Sequence, residues 1–211
     1  MFKDRCDAGV RLAKRLEKYK DNPNTIVFAI PRGGVIVASV VCNLLNVPMD
    51  IVITRKIGAP FNQELAIGAV GPTGAKILNH DAINILGAGE GYIEKESKKT
   101  MQEVRERLKK YRGSDKYDKL SGKTAILIDD GIATGYTVMA AINFLIELNP
   151  ETIILGTPVI APDTLTKIQQ QVNEVVYIIS KEPFFAIGQF YEIFSQVSDA
   201  EVMKAIQNYT R

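Results

Sequence analysis

Hydrophobic positions along this chain follow two patterns, one of helical period and one of unbroken runs of strand length. Leu12, Leu16 and Tyr19 recur at helical spacing, so residues 4–20 read as an amphipathic helix closed by Asn22-Pro23-Asn24. Residues 25–30 (TIVFAI) form a β-branched apolar run, which Pro31-Arg32-Gly33-Gly34 interrupts before a buried helix over 35–45. Residues 49–54 (MDIVIT) give a second buried strand. The polar stretch 55–64 follows it, and Gly58 and Pro60 predict a loop there. Two shorter strands at 66–70 and 75–79 flank Gly71-Pro72-Thr73-Gly74 and predict a hairpin.

Ile93, Ser97, Met101, Val104, Leu108 and Tyr111 make a narrow stripe through a highly charged segment, as in a largely solvated helix. Residues 124–128 (TAILI) are the third buried strand, and 137–148 a helix closed by Asn149-Pro150. A strand over 152–160, a helix over 162–172 and a strand over 175–180 complete the alternation. Ser198 with Glu201 forms a capping box that opens a last helix. Strands alternating with helices predict an α/β fold, a mainly parallel sheet with helices on both faces. No repeat, low-complexity tract or linker divides it, so residues 1–211 are expected to form a single domain.

Composition narrows the function. The chain of 211 residues is 46% hydrophobic and 24% charged, the usage of a globular protein rather than a disordered one. Its 26 basic and 24 acidic residues leave a net charge of +2, too balanced for a nucleic-acid or membrane surface. The basic residues of 95–110 are expected to be a helix's solvated face. Cys6 and Cys42 fall in patterns of apolar helix faces and are expected to be buried, reduced thiols. MFKDRC has no apolar run behind it, and the longest uncharged stretch, 33–49, is short for a membrane span. The expectation is a cytoplasmic protein without a signal peptide. His80 is the only histidine, so Ser-His-Asp and His-metal chemistry have nothing to build on.

The most informative stretch is Asp129-Asp130-Gly131-Ile132-Ala133-Thr134-Gly135-Tyr136-Thr137, between a buried strand and a helix. That places it at a strand's carboxyl end, where open α/β sheets bind ligands. Two glycines allow tight backbone, Thr134 and Thr137 offer hydroxyls, and the helix start presents unpaired N–H groups, which together suit a phosphate. The carboxylates would repel a phosphate. They suit sugar hydroxyls or Mg²⁺, often held through water. A ligand with phosphate at one end and a diol or metal beside it is a sugar phosphate.

The run AILIDDGIATGYT resembles the phosphoribosyl-diphosphate (PRPP) signature of type I phosphoribosyltransferases. The resemblance implies that Asp129 and Asp130 hydrogen-bond the ribose hydroxyls, and hold Mg²⁺ through water. It further implies that Ala133, Thr134, Gly135, Tyr136 and Thr137 cradle the 5′-phosphate, with Gly131 also among the residues that bind PRPP. In that family the loop after the first core strand binds pyrophosphate, which places Arg32 and Gly33 there. Adenine and orotate phosphoribosyltransferases carry Arg-Lys at the end of the matching second strand, leading into a flexible closing loop. By that likeness Arg55 and Lys56 serve PRPP, Lys56 touching the diphosphate or base, and 57–64 is the loop. Glu64 would then be a candidate for protonation chemistry at the base.

The segment Glu182-Pro183-Phe184-Phe185-Ala186-Ile187-Gly188-Gln189-Phe190-Tyr191 is similar to the hood of hypoxanthine-guanine phosphoribosyltransferases. The match places Phe185 against the acceptor, with Ala186 and Ile187 beside its edge, while the lysine that selects a 6-oxo group in those enzymes has no counterpart. The hood is expected from the N-terminal helix and about 181–197, around a core of about 24–180. The resemblance, over roughly 24–191, implies transfer of 5-phosphoribosyl from PRPP to a nitrogen acceptor, a nucleobase or other small heterocycle, with Mg²⁺. A homodimer is expected. The patterns PRGG, RKIGAP, DDGIATG and PFFAIGQFYE are also similar to a group of phosphoribosyltransferase-like proteins whose acceptor is unassigned. The rival class is a non-enzymatic PRPP-sensing regulator, which keeps the acidic signature but usually adds a nucleic-acid module or a strongly basic face. Neither is evident here.

Overall fold

In the computed structural model, which describes residues 1–207 and 209, the apolar runs become the strands of a parallel sheet. Helix α1 (Arg5–Arg15) leads through a 3₁₀ turn to β1 (Thr25–Ala29), α2 (Gly33–Leu45) and the short β2 (Met49–Ile51). Strands β3 (Arg55–Ala59), β4 (Asn62–Val70) and β5 (Lys76–Leu78) follow, then α3 (His80–Leu86) and the long α4 (Glu90–Arg112). The chain continues through β6 (Thr124–Ile128), α5 (Tyr136–Glu147), β7 (Thr152–Val159), α6 (Pro162–Ile168), β8 (Glu174–Ile179) and α7 (Asp199–Gln207).

The main sheet has the order β2-β1-β6-β7-β8, with every neighbouring pair parallel. Alternation along a strand sends successive side chains to opposite faces. Val27 and Ala29 accordingly pack with α1 and α2, and Phe28 packs with Val138, Ala141 and Ile142 of α5. The chain adds β2 on one side of β1 and β6 on the other, so the order reverses between β1 and β6. Helix α2 leaves β1 for one face and α5 leaves β6 for the other, which opens a crevice at the carboxyl ends of this central pair.

Residues 55–64 are a hairpin of a separate antiparallel sheet, β3-β4-β5, where the sequence predicts a loop. Ile57, Ala59, Ile67 and Val70 close a small core with Ala88 and Ile93, and the Tyr92 hydroxyl donates to the Gly58 carbonyl at 3.0 Å. Gly58 marks a close approach, since a Cβ there would lie 2.8 Å from Gln63 Cα. The hairpin's partners lie on α3 and α4, invisible to a local reading. Helix α3 was also not predicted; Asn79 caps it by accepting from the Ala82 N–H.

Other boundaries shift by short steps. Helix α2 starts at Gly33 rather than 35, β2 stops at Ile51 and the second sheet opens only at Arg55, and α6 ends at Ile168. The stripe on α4 is buried as predicted at Ile93, Ser97, Val104, Leu108 and Tyr111, and Ser198 with Glu201 forms the capping box ahead of α7. Cys42 is buried but Cys6 is exposed, against expectation. It sits two positions before Ala8, across a helical turn of about 3.6 residues from the face that α1 buries. Among the described residues, no helix is long and apolar enough to cross a membrane.

Candidate active site

The crevice between β1 and β6 is walled by two loops that touch. Asp130, 9% exposed, follows β6, and its Oδ2 accepts from Arg5 Nε at 2.7 Å. On its other side lies Gly33, the first residue of α2, where any Cβ would overlap that same oxygen. Gly34 backs onto Asp129, since a Cβ there would stand 2.9 Å from Asp129 Cα. Glycine at these two positions lets the loop after β1 lie directly on the acid pair. The Pro31–Arg32 peptide is cis, and Arg32 Nη1 lies 3.8 Å from Asp199 Oδ1 with its side chain about one-third exposed. Arg5, Arg32, Gly33, Phe194, Ser195, Gln196 and Val197 line a cleft of about 320 Å³ beside Asp130.

The two acids are not equivalent. Asp129 Oδ1 accepts the Asp130 N–H at 2.9 Å, and the Asp130 carbonyl accepts the Tyr191 hydroxyl at 2.6 Å. Burial, then the neighbouring charge of Asp130, pushes the Asp129 carboxyl well above the usual carboxylate range, although the Asp130 N–H and Arg5 oppose the rise. Burial likewise pushes the Tyr191 phenol up, so it remains a hydroxyl donor at neutral pH.

The loop after Asp130 is pinned at both ends and open in the middle. The Ile132 N–H donates to the Val159 carbonyl at 2.9 Å, the Ala161 N–H donates to the Ile132 carbonyl at 2.9 Å, and the Thr164 hydroxyl donates to the Ala133 carbonyl. Ala133, apart from its tied carbonyl, and Thr134 after it are exposed. Gly135, at φ +77°, turns the chain into α5, and the Met139 N–H donates to its carbonyl. The amides ahead of Met139 belong to the helix's first turn and have no intrahelical acceptor behind them. A fixed loop ending at a helix start, with accessible backbone, can take a phosphate.

Arg55, Lys56 and Glu64 stand apart from this cluster. Arg55 opens β3 and pairs with Glu103 of α4 at 2.6 Å, while Lys56 and Glu64 are exposed along the hairpin. Residues 57–64, where a closing loop is expected, lie in a β-hairpin with Phe61 at its tip 95% exposed. Among the described residues, no hydrogen bond or ion pair links Arg55, Lys56 or Glu64 to the acid pair.

After β8 the chain crosses over the acidic loop. Ile187 packs on Gly131, where a Cβ would overlap it, and Phe190 and Tyr191 are buried against Phe2. Phe185 is 85% exposed, its N–H donating to Gln189 Oε1 at 2.8 Å. A core role for Phe185 is excluded by that exposure, and Tyr191 is too buried to offer a ring face to a ligand. Sequence reading missed Arg5, Phe194 and the Tyr191 hydroxyl. Arg5 is one basic residue among several on α1, and 125 positions separate it from Asp130.

A cation would find two adjacent carboxylates here and, among the described residues, no group of three or more metal-ligating side chains. That donor set fits Mg²⁺, which keeps several waters and is commonly shared with substrate phosphates, rather than an all-protein cage.

The sequence model of the phosphoribosyl transferase domain matches residues 3–192. Proteins of two Mycobacterium tuberculosis strains, named provisionally as phosphoribosyl transferases, are each 36% identical over 203 residues. The match takes in 96% of this chain and 46% of theirs, so the chain spans under half the length of these relatives. A crystal structure from Thermus thermophilus is similar over 100% of both chains, with 32% identity and a TM-score of 0.81.

Proposed function

The chain belongs to the phosphoribosyl transferase domain family, and from that premise we propose that it moves 5-phosphoribosyl from PRPP to a nitrogen of a small heterocycle, releasing pyrophosphate. The observation that carries this reading is the meeting of two loops at the β1–β6 crevice, with the Asp130 carboxylate seated between Arg5 and Gly33. In this reading Asp129 and Asp130 take the ribose hydroxyls, and residues 133–137 take the 5′-phosphate. Arg32 and the backbone at Gly33 face the diphosphate. Magnesium bound with the substrate would supply charge neutralisation of the departing diphosphate.

No protein nucleophile is needed, because the diphosphate departs with the C1–O electron pair, the anomeric carbon becomes oxocarbenium-like and the acceptor nitrogen bonds to it. Catalysis is then positioning plus stabilisation of the leaving charge. The N-terminal residues and 181–197 would form a hood over the acceptor. Residues 1–211 would act as one domain, in a homodimeric cytoplasmic enzyme. With Arg55 paired to Glu103, Lys56 is the freer of the two basic residues to reach the diphosphate or base. Glu64 remains a candidate for proton transfer at the base only if the hairpin bends over the crevice.

The test is pyrophosphate release from PRPP and Mg²⁺ across a panel of nucleobases and nitrogen heterocycles. Acceptor-dependent release is expected. PRPP binding without release for any acceptor would favour the sensor class instead. Phe185→Ala refines the acceptor end: stacking contributes ~0.5–1.5 kcal/mol beyond burial, so the acceptor KM should rise several-fold. The side chain is 85% exposed, so the melting temperature should stay put. An unchanged KM would remove Phe185 from the acceptor site.

A further inference from the structure

Both the side chain and the backbone of Asp130 are held by elements outside the acidic loop. Arg5, in the first turn of α1, donates from Nε to Asp130 Oδ2 at 2.7 Å and from Nη1 to the Ser195 carbonyl at 2.8 Å. Its guanidinium lies 4.0 Å over the ring of Phe194, which in turn stands 4.9 Å from the ring of Tyr191. The Tyr191 hydroxyl closes the circuit on the Asp130 carbonyl at 2.6 Å. The Arg5 and Asp130 side chains are 11% and 12% exposed, so solvent screens the pair weakly. A Cβ on Gly33 would overlap Asp130 Oδ2 and stand 2.9 Å from Arg5 Nε, which leaves the carboxylate a narrow seat between them.

We propose that Arg5 is a positioning residue, holding Asp130 in the orientation that meets the ribose so that α1 and residues 191–195 complete the sugar site without touching the sugar. The inference rests on the PRPP reading above. Two adjacent carboxylates repel, and Arg5 supplies the opposite charge that holds Asp130 beside Asp129. The guanidinium is itself fixed by that ion pair, the Ser195 carbonyl and the Phe194 ring. The fixed carboxylate then loses little orientational freedom when a diol binds. Lysine could supply the charge but not the fork and the stacked plane at once.

Three probes separate this role from others: PRPP with Mg²⁺, ribose 5-phosphate, and pyrophosphate with Mg²⁺, each titrated calorimetrically into the parent, Arg5→Ala and Arg5→Lys. Arg5→Ala should weaken PRPP and ribose 5-phosphate by roughly 10- to 100-fold, by analogy with the loss of an outer partner that orients a metal-ligating side chain. Arg5→Lys should recover part of that loss, and pyrophosphate affinity should be unchanged in both. Loss of pyrophosphate affinity in parallel would make Arg5 a direct anion ligand or a general structural support, and overturn the proposal. Unchanged or tighter ribose 5-phosphate binding would overturn it too, the latter marking Arg5 as a competitor for the carboxylate. If Arg5→Ala does not fold by circular dichroism, Arg5→Lys carries the same comparison. A parent that binds neither PRPP nor ribose 5-phosphate overturns the functional reading, and this inference with it.

Discussion

Replacing both Asp129 and Asp130 with Asn should reduce PRPP·Mg²⁺ affinity by about two to four orders of magnitude and leave the fold in place. Each lost hydrogen bond to a charged acceptor is worth roughly 1.5–3 kcal/mol, and two are removed. The single variants should part company in stability. Burial and Asp130 raise the Asp129 carboxyl, so it gives up its proton at a higher pH in the folded chain than in the unfolded one. The stability linked to this shift is fully present below about pH 4, the unfolded carboxylate range, and is lost as pH rises through the higher folded value. Asp129→Asn removes the loss and should raise the melting temperature at pH 7. Asp130→Asn does the reverse, because it leaves the largely enclosed Arg5 guanidinium without its counter-charge. Calorimetric titration of the double variant, with thermal melts of the two singles, checks all three outcomes. Unchanged PRPP affinity in a folded double variant would remove the acid pair from the ribose.

Gly135→Val should abolish competition by ribose 5-phosphate and cost roughly 2 kcal/mol or more of stability. The residue sits at φ +77°, which a β-branched side chain avoids, and its Cβ would lie 2.6 Å from Thr164 Cγ2. Thr164 ties α6 to the Ala133 carbonyl, and a valine side chain at Gly135 presses on it while crowding the backbone that would hold the phosphate. The competition measurement is made well below the variant's melting temperature, with Thr164→Ala as companion. That companion loses the tie but keeps Gly135, and it should retain most of the competition. Equal competition by ribose 5-phosphate in Gly135→Val and parent would put the phosphate elsewhere.

The parallel sheet and its chemistry were legible in the sequence because both are local. β6 is a run of five apolar or β-branched residues, and the acids and glycines that follow it mark a strand end by themselves. The loop after β1 was legible for the same reason, although Gly33 turned out to begin a helix and to seat a carboxylate. What was missed depends on partners far along the chain. The β3–β4 hairpin reads as a loop because its exposed tip and its glycine are local, whereas Tyr92 and Ile93, which hold it, arrive some thirty residues later. Arg5 is legible only once α1 is laid across the crevice beside Asp130. Cys6 was misplaced because α1 buries positions 8, 9, 12 and 13, a face that the wider spacing of Leu12, Leu16 and Tyr19 did not fix.

A crystal structure of this chain with ribose 5-phosphate and Mg²⁺ bound would settle where the sugar lies. The expected complex has the phosphate over residues 133–137 at the start of α5, the ribose hydroxyls on Asp129 and Asp130, and Arg5 still paired with Asp130. A phosphate bound away from that loop, or a ribose turned from both acids, would contradict it.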